Sequence, residues 1–474
     1  MGLLQLWVMW PGLLTSDSQV QYAQAIAGAY SDHHPPFMSF VWRYLDKIYP
    51  GPGLMLLLQL SLFYGALAFY IKSFASFKSR LFCLFVPLIP HVFIFSSVIL
   101  KDVGFAFSFL FCTAYLGYCA AHHQKPRWYA LTLVGIILLY GTALKFQAQY
   151  CAPIILAWMA FMMADNKMRS KQFIVGCLGL SLAFYAALYG INRTLVPETQ
   201  KNHAWQYVKI YDLAGIAART KESNFPDFAK LPGFSMEAFL KQFDGKNNRV
   251  DELVMSNPAV GHEAILRIGR DPTERDTLYA AWLTALKAHP VLYLQHRLQN
   301  ISHTLLSPPG FTMGPRVIEK IAAPHTTTYK ILYGLGRVLS QGVSEVSEPE
   351  IEAVSEIADS VFYDSVWYQA LAMLAFLSMS HAIPALLCIA YCMLGLRALG
   401  RTWAAVPLLC MNAVGLTLML VLFFCSMAGT LRYTYVMVCM VHASHLFAYR
   451  CYQALRSTSL QKSEIPISTI AAGA

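Results

Sequence analysis

The residues of this chain best suited to chemistry stand at four places far apart in the sequence. They are Asp17; the run Ser31-Asp32-His33-His34-Pro35-Pro36; the pair Lys101-Asp102 with Lys145 and Gln147; and the pair Arg432-Tyr433. Carboxylates can take a proton from a hydroxyl. Lysine and arginine can support negative charge that develops as a bond breaks. Arginine suits a two-pronged phosphate contact, whereas lysine acts as a point charge. Each of these groups borders or interrupts a strongly apolar run, where holding a charge is costly, so the set reads as a functional site.

Plainer readings exist for each residue. Aspartate is a preferred helix cap, and Asp17 and Asp32 each precede a stretch of helical spacing. His33 and His34 read equally as residues at the headgroup level. Lys101 could serve only as an ion-pair partner or as an anchor that snorkels to the interface. Asp102 is sharper, because apolar runs flank Lys101-Asp102 on both sides and leave little loop to solvate it.

The elements that must position these groups follow from composition. Of 474 residues, 56% are hydrophobic and only 13% are charged, against roughly a quarter charged in soluble domains. An all-α polytopic membrane protein is expected. Spans need about 20 apolar residues, and the candidates are 51–71, 81–100, 103–120, 129–144, 148–164, 172–191, 377–396, 403–424 and 434–449. Gly2–Leu14 has no basic leader and no small-residue cleavage site after it, so it reads as a shortened first span rather than a signal peptide. About ten transmembrane helices result.

Basic residues set the orientation. One series of short loops holds Lys72, Lys78, Arg80, Lys125, Arg127, Lys167, Arg169, Lys171, Arg397 and Arg401, and the tail adds Arg450, Arg456 and Lys462. The opposite series holds only Arg43, Lys47, Lys101, Lys145 and Arg432. Both termini are therefore expected in the cytoplasm, with every candidate site residue on the outer face. The net charge of +10 is explained by this distribution, and no nucleic-acid partner is implied.

Four regions follow: an N-terminal transmembrane module over 1–191 with its first outer loop at 15–50, an extracytoplasmic domain over 192–365, a C-terminal transmembrane module over 366–450, and a cytoplasmic tail over 451–474. In the first loop, Tyr22, Ile26 and Tyr30, and then Phe37, Phe40, Val41, Tyr44, Leu45 and Ile48, predict two amphipathic helices in the interface. The outer domain is expected to be mostly helical, with helices over Pro272–His289 and Val291–Leu305, a loop over Phe225–Phe243 and an acidic solvated stretch at 341–358. It holds none of the 11 cysteines, hence no disulfide framework. No phosphate-cradling glycine loop, nucleophile elbow or dinucleotide fingerprint occurs.

Taken together, the early outer loop with an acid, the helices in that loop, the second acidic position at Asp102 and the outer domain resemble the GT-C superfamily of membrane glycosyltransferases. Asp32-His33-His34-Pro35-Pro36, Lys101-Asp102-Val103, Tyr211-Asp212-Leu213-Ala214-Gly215, His289-Pro290 with His296-Arg297, and Arg432-Tyr433 resemble a bacterial branch of it. The early acid is a lone Asp17 rather than an Asp-Glu pair, which leaves Asp17 and Asp32 both open as the base.

The resemblance implies transfer of a single sugar, with inversion, from a polyprenyl-phosphate donor to an extracytoplasmic glycan, lipid or protein, in a bacterial inner membrane. Asp17, Asp32 and Asp102 would be catalytic. Lys101, Lys145 and Arg432 would bind the donor phosphate, and His33, His34, Gln147, Tyr433 and Arg297 would contact donor or acceptor. No cofactor is required, although a divalent metal held by Asp17, Asp102 and a histidine is an option. The rival readings are a lipid-linked glycan polymerase or ligase, a transporter or flippase, and a membrane acyltransferase using His91 or His381.

Overall fold

The computed structural model describes residues 1–167, 170–198, 201, 203–243, 250–256, 263–306, 381–428 and 431–463. Among them the chain is helical apart from one two-stranded ladder and one isolated bridge. The described helices are α1 (Gly2–Met9), α2 (Ser16–Ala27), α3 (Phe37–Ile48), α4 (Gly53–Ser73), α5 (Phe77–Phe85), α6 (Pro90–Ser97), α7 (Lys101–Ala121), α8 (Trp128–Ala143), α9 (Ala148–Met163) and α10 (Lys171–Leu195). They continue with α11 (Trp205–Thr220), α12 (Met236–Gln242), α13 (Asp251–Val254), α14 (Pro272–Ala288), α15 (Pro290–Leu306), α16 (Ala382–Ala398), α17 (Ala405–Cys425) and α18 (Tyr435–Ser463).

Four of these, α4, α7, α10 and α17, are long and apolar enough to cross a membrane. At 21 residues, α4, α7 and α17 are each about 31 Å long, close to the thickness of a hydrocarbon core. α8, α9 and α16 are apolar but shorter. α4 packs along α7, and α16, α17 and α18 pack on one another, with α9 and α7 against that group. Their shared core includes Phe63, Phe107, Leu156, Leu418 and Phe447.

The structure departs from the expected spans at two places, and both matter for the site. Gly2–Leu14 makes only the eight-residue α1, about 12 Å long. The run 81–100 is not one helix. Proline lacks an amide donor and clashes with the preceding turn, so Pro87 and Pro90 divide the run into α5, a 3-10 turn at Val86–Leu88, and α6. The Gln59 side chain on α4 donates to the carbonyls of Ser96 and Val98, at 2.8 and 3.0 Å, where that run gives out. Beyond the break, Val98–Ile99 (β2) pairs in parallel with Leu13–Leu14 (β1), Leu13 opposite Val98 and Leu14 opposite Ile99. Ser18 Oγ also donates to the Ile99 carbonyl. Read forward, this register sets the start of α2 beside the start of α7.

The first loop forms two helices, but only α3 has the expected amphipathic exposure, with Met38 and Trp42 buried and Tyr44 and Ile48 exposed. α2 is buried on its polar side as well: Ser18, Gln19, Gln21 and Gln24 are all sealed from solvent. It ends at Gly28, whose φ of +69° suits a residue without Cβ. Arg43 Nη1 donates to the Ala25 and Ile26 carbonyls there, both at 3.2 Å.

The described residues between α10 and α16, called the outer region after the side expected from the sequence, have a second core of their own, built on Tyr211, Leu213, Phe239, Phe243, Leu253 and Leu278. α14 and α15 match the predicted helices within a residue or two. The predicted loop at Phe225–Phe243 instead contains a 3-10 turn and α12, which Ser235 caps by accepting from the Ala238 amide at 3.0 Å. α10 runs past the expected boundary to Leu195, and α18 runs past Arg450 to Ser463. The acidic stretch 341–358 and the start of the run 377–396 lie outside the described residues.

Candidate functional site

Asp17 sits in the first turn of α2, not ahead of it. The cap is Thr15, whose hydroxyl accepts from the Ser18 amide while Ser18 Oγ accepts from the Thr15 amide. The capping role expected for Asp17 is thus filled by a neighbour, and its carboxylate turns elsewhere. Lys101 Nζ lies 2.5 Å from Asp17 Oδ2, and Arg432 Nη1 lies 3.1 Å from the same oxygen. His34 Nε2 stands 4.0 Å away on a third side, and its Nδ1 is 3.1 Å from Lys101 Nζ. Since a lysine ammonium only donates, His34 Nδ1 accepts there and the ring proton sits on Nε2.

Next to this group, Lys145 Nζ pairs with Asp102 Oδ1 and lies 4.3 Å over the ring of Tyr433. Arg432 spans the gap, its guanidinium 5.4 Å from the same ring. Asp17, His34, Lys101, Asp102, Lys145, Arg432 and Tyr433 therefore form one connected cluster. The His33 ring lies 4.6 Å from that of His34, tilted to it, and meets Tyr207 of α11 edge to face at 5.6 Å. The β1–β2 register on one side and the 3-10 turn Leu431–Thr434 on the other bring these residues together.

The electrostatics are lopsided around Asp17. Burial alone would push its carboxyl up, but Arg432 and Lys101 outweigh that and hold it well below the usual carboxylate range. Burial, reinforced by Lys101, pushes His34 well below its ordinary value. Burial likewise lowers His33, against the opposing pull of Asp251. The result is an ionised carboxylate shared by two cations, with two neutral imidazoles alongside. Several polar atoms in or beside this cluster are buried without a hydrogen-bond partner among the described residues: His33 Nδ1, Asp102 Oδ2, Arg432 Nε and both amide atoms of Gln21.

Asp32 stands apart. It does not cap α3, whose first turn begins at Pro36 with no side-chain cap. Its Oδ2 instead accepts from the His203 amide at 2.8 Å, tying the loop to the outer region. Gln147 is half-buried on the α8–α9 connection, two residues from Lys145, and no contact joins it to Asp17. Arg297 is elsewhere altogether. It is fully buried, with Nη2 2.6 Å from Asp212 Oδ1 and Nη1 donating to the Ser426 carbonyl at 2.5 Å. Two of the motifs read separately in the sequence are halves of this one contact: Tyr211 packs 4.4 Å from the His296 ring and donates to Asn300 Oδ1, Trp282 donates to Asp212 Oδ2, and a Cβ on Gly215 would collide with His296. The assignment of Arg297 to substrate contact is replaced by an anchoring role.

A metal site does not fit the donor set. Asp17 and Asp102 each face a lysine, and no three His, Cys, Asp or Glu side chains converge at ligand distance among the described residues. His381 is buried against Thr434, its Nδ1 2.5 Å from the hydroxyl oxygen; the His91 side chain lies outside the described residues.

Sequence reasoning missed two participants. Gln21 lies one turn beyond Asp17 on the same face of α2, and the four-residue spacing was the available signal. Asp251, whose field reaches His33, Lys101 and Tyr433, had no signal at all, since hundreds of residues separate it from the loop it faces. No family model, curated protein or solved structure matches the chain.

Proposed function

We propose that this chain is an inverting membrane glycosyltransferase that moves one sugar from a polyprenyl-phosphate donor to an extracytoplasmic acceptor. In this reading the helical bundle spans a bacterial inner membrane with both termini in the cytoplasm, and the Asp17 cluster opens on the outer face. The observation that carries the reading is the pairing of one carboxylate, Asp17, with two cations, Lys101 and Arg432, in a shell that retains unpartnered buried polar atoms. A phosphate would find its counter-charges already assembled there, and a hydroxyl would find a carboxylate.

The step is a single displacement. Asp17 takes the proton of the acceptor hydroxyl, whose oxygen forms a bond to the anomeric carbon. The bond from that carbon to the phosphate oxygen breaks, and its electron pair leaves with the polyprenyl phosphate, supported by Lys101 and Arg432. Held as it is, Asp17 is a feeble base. Once the donor phosphate draws Lys101 and Arg432 toward itself, the attraction that keeps the carboxyl low is relieved and its proton affinity rises. Asp102 holds Lys145 against Tyr433 beside the phosphate-facing guanidinium. Asp32, which ties the loop to the outer region, becomes a positioning group and Asp17 the base.

Purified protein in proteoliposomes, supplied with a radiolabelled polyprenyl-monophosphate sugar and an acceptor extract, is expected to transfer label. Use of pyrophosphate-linked oligosaccharides alone would replace this reading with a polymerase or ligase. Movement of the donor across the bilayer without transfer would replace it with a flippase.

A further inference from the structure

A cavity of about 1060 Å³ opens at the other end of the bundle. It lies between the C-terminal ends of α7 and α9, the start of α10 and the α16–α17 connection. Its nearest lining residue on α7, Cys119, lies 18 positions beyond Lys101, or about 27 Å of helix, so it is no part of the Asp17 site.

Its lining has two characters. The inner wall is apolar and aromatic, with Trp158, Phe161, Met162 and Trp403. The rim carries Lys125, Lys167 and Arg401 against one carboxylate, Asp165. Asp165 is taken by Lys125 at 2.9 Å, whereas Lys167 and Arg401 have no acidic partner among the described residues. α10 begins on this rim: Ser170 caps it by accepting from the Phe173 amide at 3.1 Å, so the positive end of a 25-residue helix adds to the two lysines and the arginine. From the rim the surface continues onto Ile174, Val175, Leu178 and Leu182 of α10, all exposed and apolar.

The geometry points to a binding site for an anionic phospholipid of the adjoining leaflet. Its phosphate would sit at Lys167 and Arg401, its glycerol and upper chains against Phe161 and Trp403, and its tails along the exposed face of α10. Charge complementarity names the phosphate. The aromatic wall and its continuity with an apolar outer surface name the lipid, since a small soluble anion has no use for either. Basic pockets between helices are a recurrent way for membrane proteins to hold acidic headgroups. This inference rests on the membrane reading but not on sugar transfer.

The test uses the full chain in neutral detergent, with thermal unfolding followed while phosphatidylglycerol, phosphatidylcholine or inorganic phosphate is added. Phosphatidylglycerol is expected to raise the melting temperature saturably. The half-saturating amount should rise about thirtyfold in the double variant K167Q/R401Q, as removal of two interfacial cations implies. An unchanged response in the double variant overturns the site. An equal response to phosphatidylcholine overturns the charge recognition, and an equal response to inorganic phosphate overturns the lipid. Should the double variant fail to fold, Trp403→Phe and Lys167→Gln singly, each changing one wall, serve in its place: undiminished affinity in both overturns the proposal. Donor transfer is assayed on the same wild-type preparation. Its absence together with a phosphatidylglycerol shift would sink the glycosyltransferase reading and leave this one standing.

Discussion

Two buried acid–base groups among the described residues behave in opposite ways. Asp212 meets a single guanidinium, that of Arg297, and both side chains are sealed, with exposures of 1% and 0%. Asp17 meets two cations and keeps 15% exposure, as Lys101 keeps 8% and Arg432 keeps 20%. Burial raises Asp212, and Arg297 with the Trp282 hydrogen bond only partly offsets it, so its carboxyl ends above the ordinary value. Burial acts on Asp17 too, but two cations reverse it. A one-to-one pair in a dry core joins elements. A partly exposed carboxylate outnumbered by cations leaves positive charge to spare. The Asp212–Arg297 pair also serves the other group: through the Ser426 carbonyl, and with the Val250 amide on the Met427 carbonyl at 3.1 Å, the outer region grips the strand of chain that leads to Arg432.

The widest gap between the two groups is expected from Asp17→Asn. Transfer per folded molecule should drop by about 10²–10⁴-fold, the usual contribution of a positioned base; wild-type turnover in proteoliposomes would remove Asp17 from the chemistry. Asp212→Leu should act on stability instead. Stranding Arg297 without its partner costs about 3–5 kcal/mol. Thermal unfolding can be read by a thiol dye on Cys112, Cys151, Cys388 and Cys439, all buried in the folded chain. Replacing both members, as Asp212→Leu with Arg297→Met, should recover most of that loss, because a buried pair is often exchangeable for apolar residues of similar volume. If the double change is as damaging as the single one, the pair does more than join elements.

Arg432→Lys should raise the apparent donor KM about tenfold with a smaller effect on kcat, since a point charge cannot reproduce a forked contact. An unchanged KM would take the phosphate away from Arg432. The mildest effect concerns pH. His34 binds its proton less readily folded than unfolded, so protonation favours the unfolded chain. Its contribution is whole above the unfolded value of about 6.5 and is lost as the pH falls below that. Asp17 has the same sign but acts only below about 4. Stability should therefore decline between pH 7 and pH 5 in the wild type, and the decline should flatten in His34→Gln. An identical slope in both would mean that another group titrates.

Much of the helical architecture was legible because apolar run length is a local property. α4, α7, α9 and α17 fall within a few residues of their predicted bounds, as do α14 and α15 in the outer region. The run 81–100 was misread because its mean apolarity hides Pro87 and Pro90, and a backbone donor lost twice in four residues outweighs composition. α2 was misread because its polar residues suggest exposure; only packing decides that Ser18, Gln21 and Gln24 are covered. Of the site, the residue types were legible and their partners were not. Arg297 was taken for a ligand contact because an arginine beside a histidine looks functional on paper, while its burial against Asp212 depends on helices that meet only in the fold.

Composition and spacing alone dictated a helical, strongly apolar chain with charged residues near the ends of its long apolar helices, since run length and charge act within a turn or two of the backbone. The tertiary structure decided which charges meet. Two residues of β1 beside two residues of β2 place Asp17 against Lys101, and a grip by the outer region on the Ser426–Ala428 segment precedes Arg432 on the same carboxylate. Electrostatic preference depends on distance in space, and no local pattern encodes a distance across 84 or 415 positions of chain, as between Asp17 and Lys101 or Asp17 and Arg432.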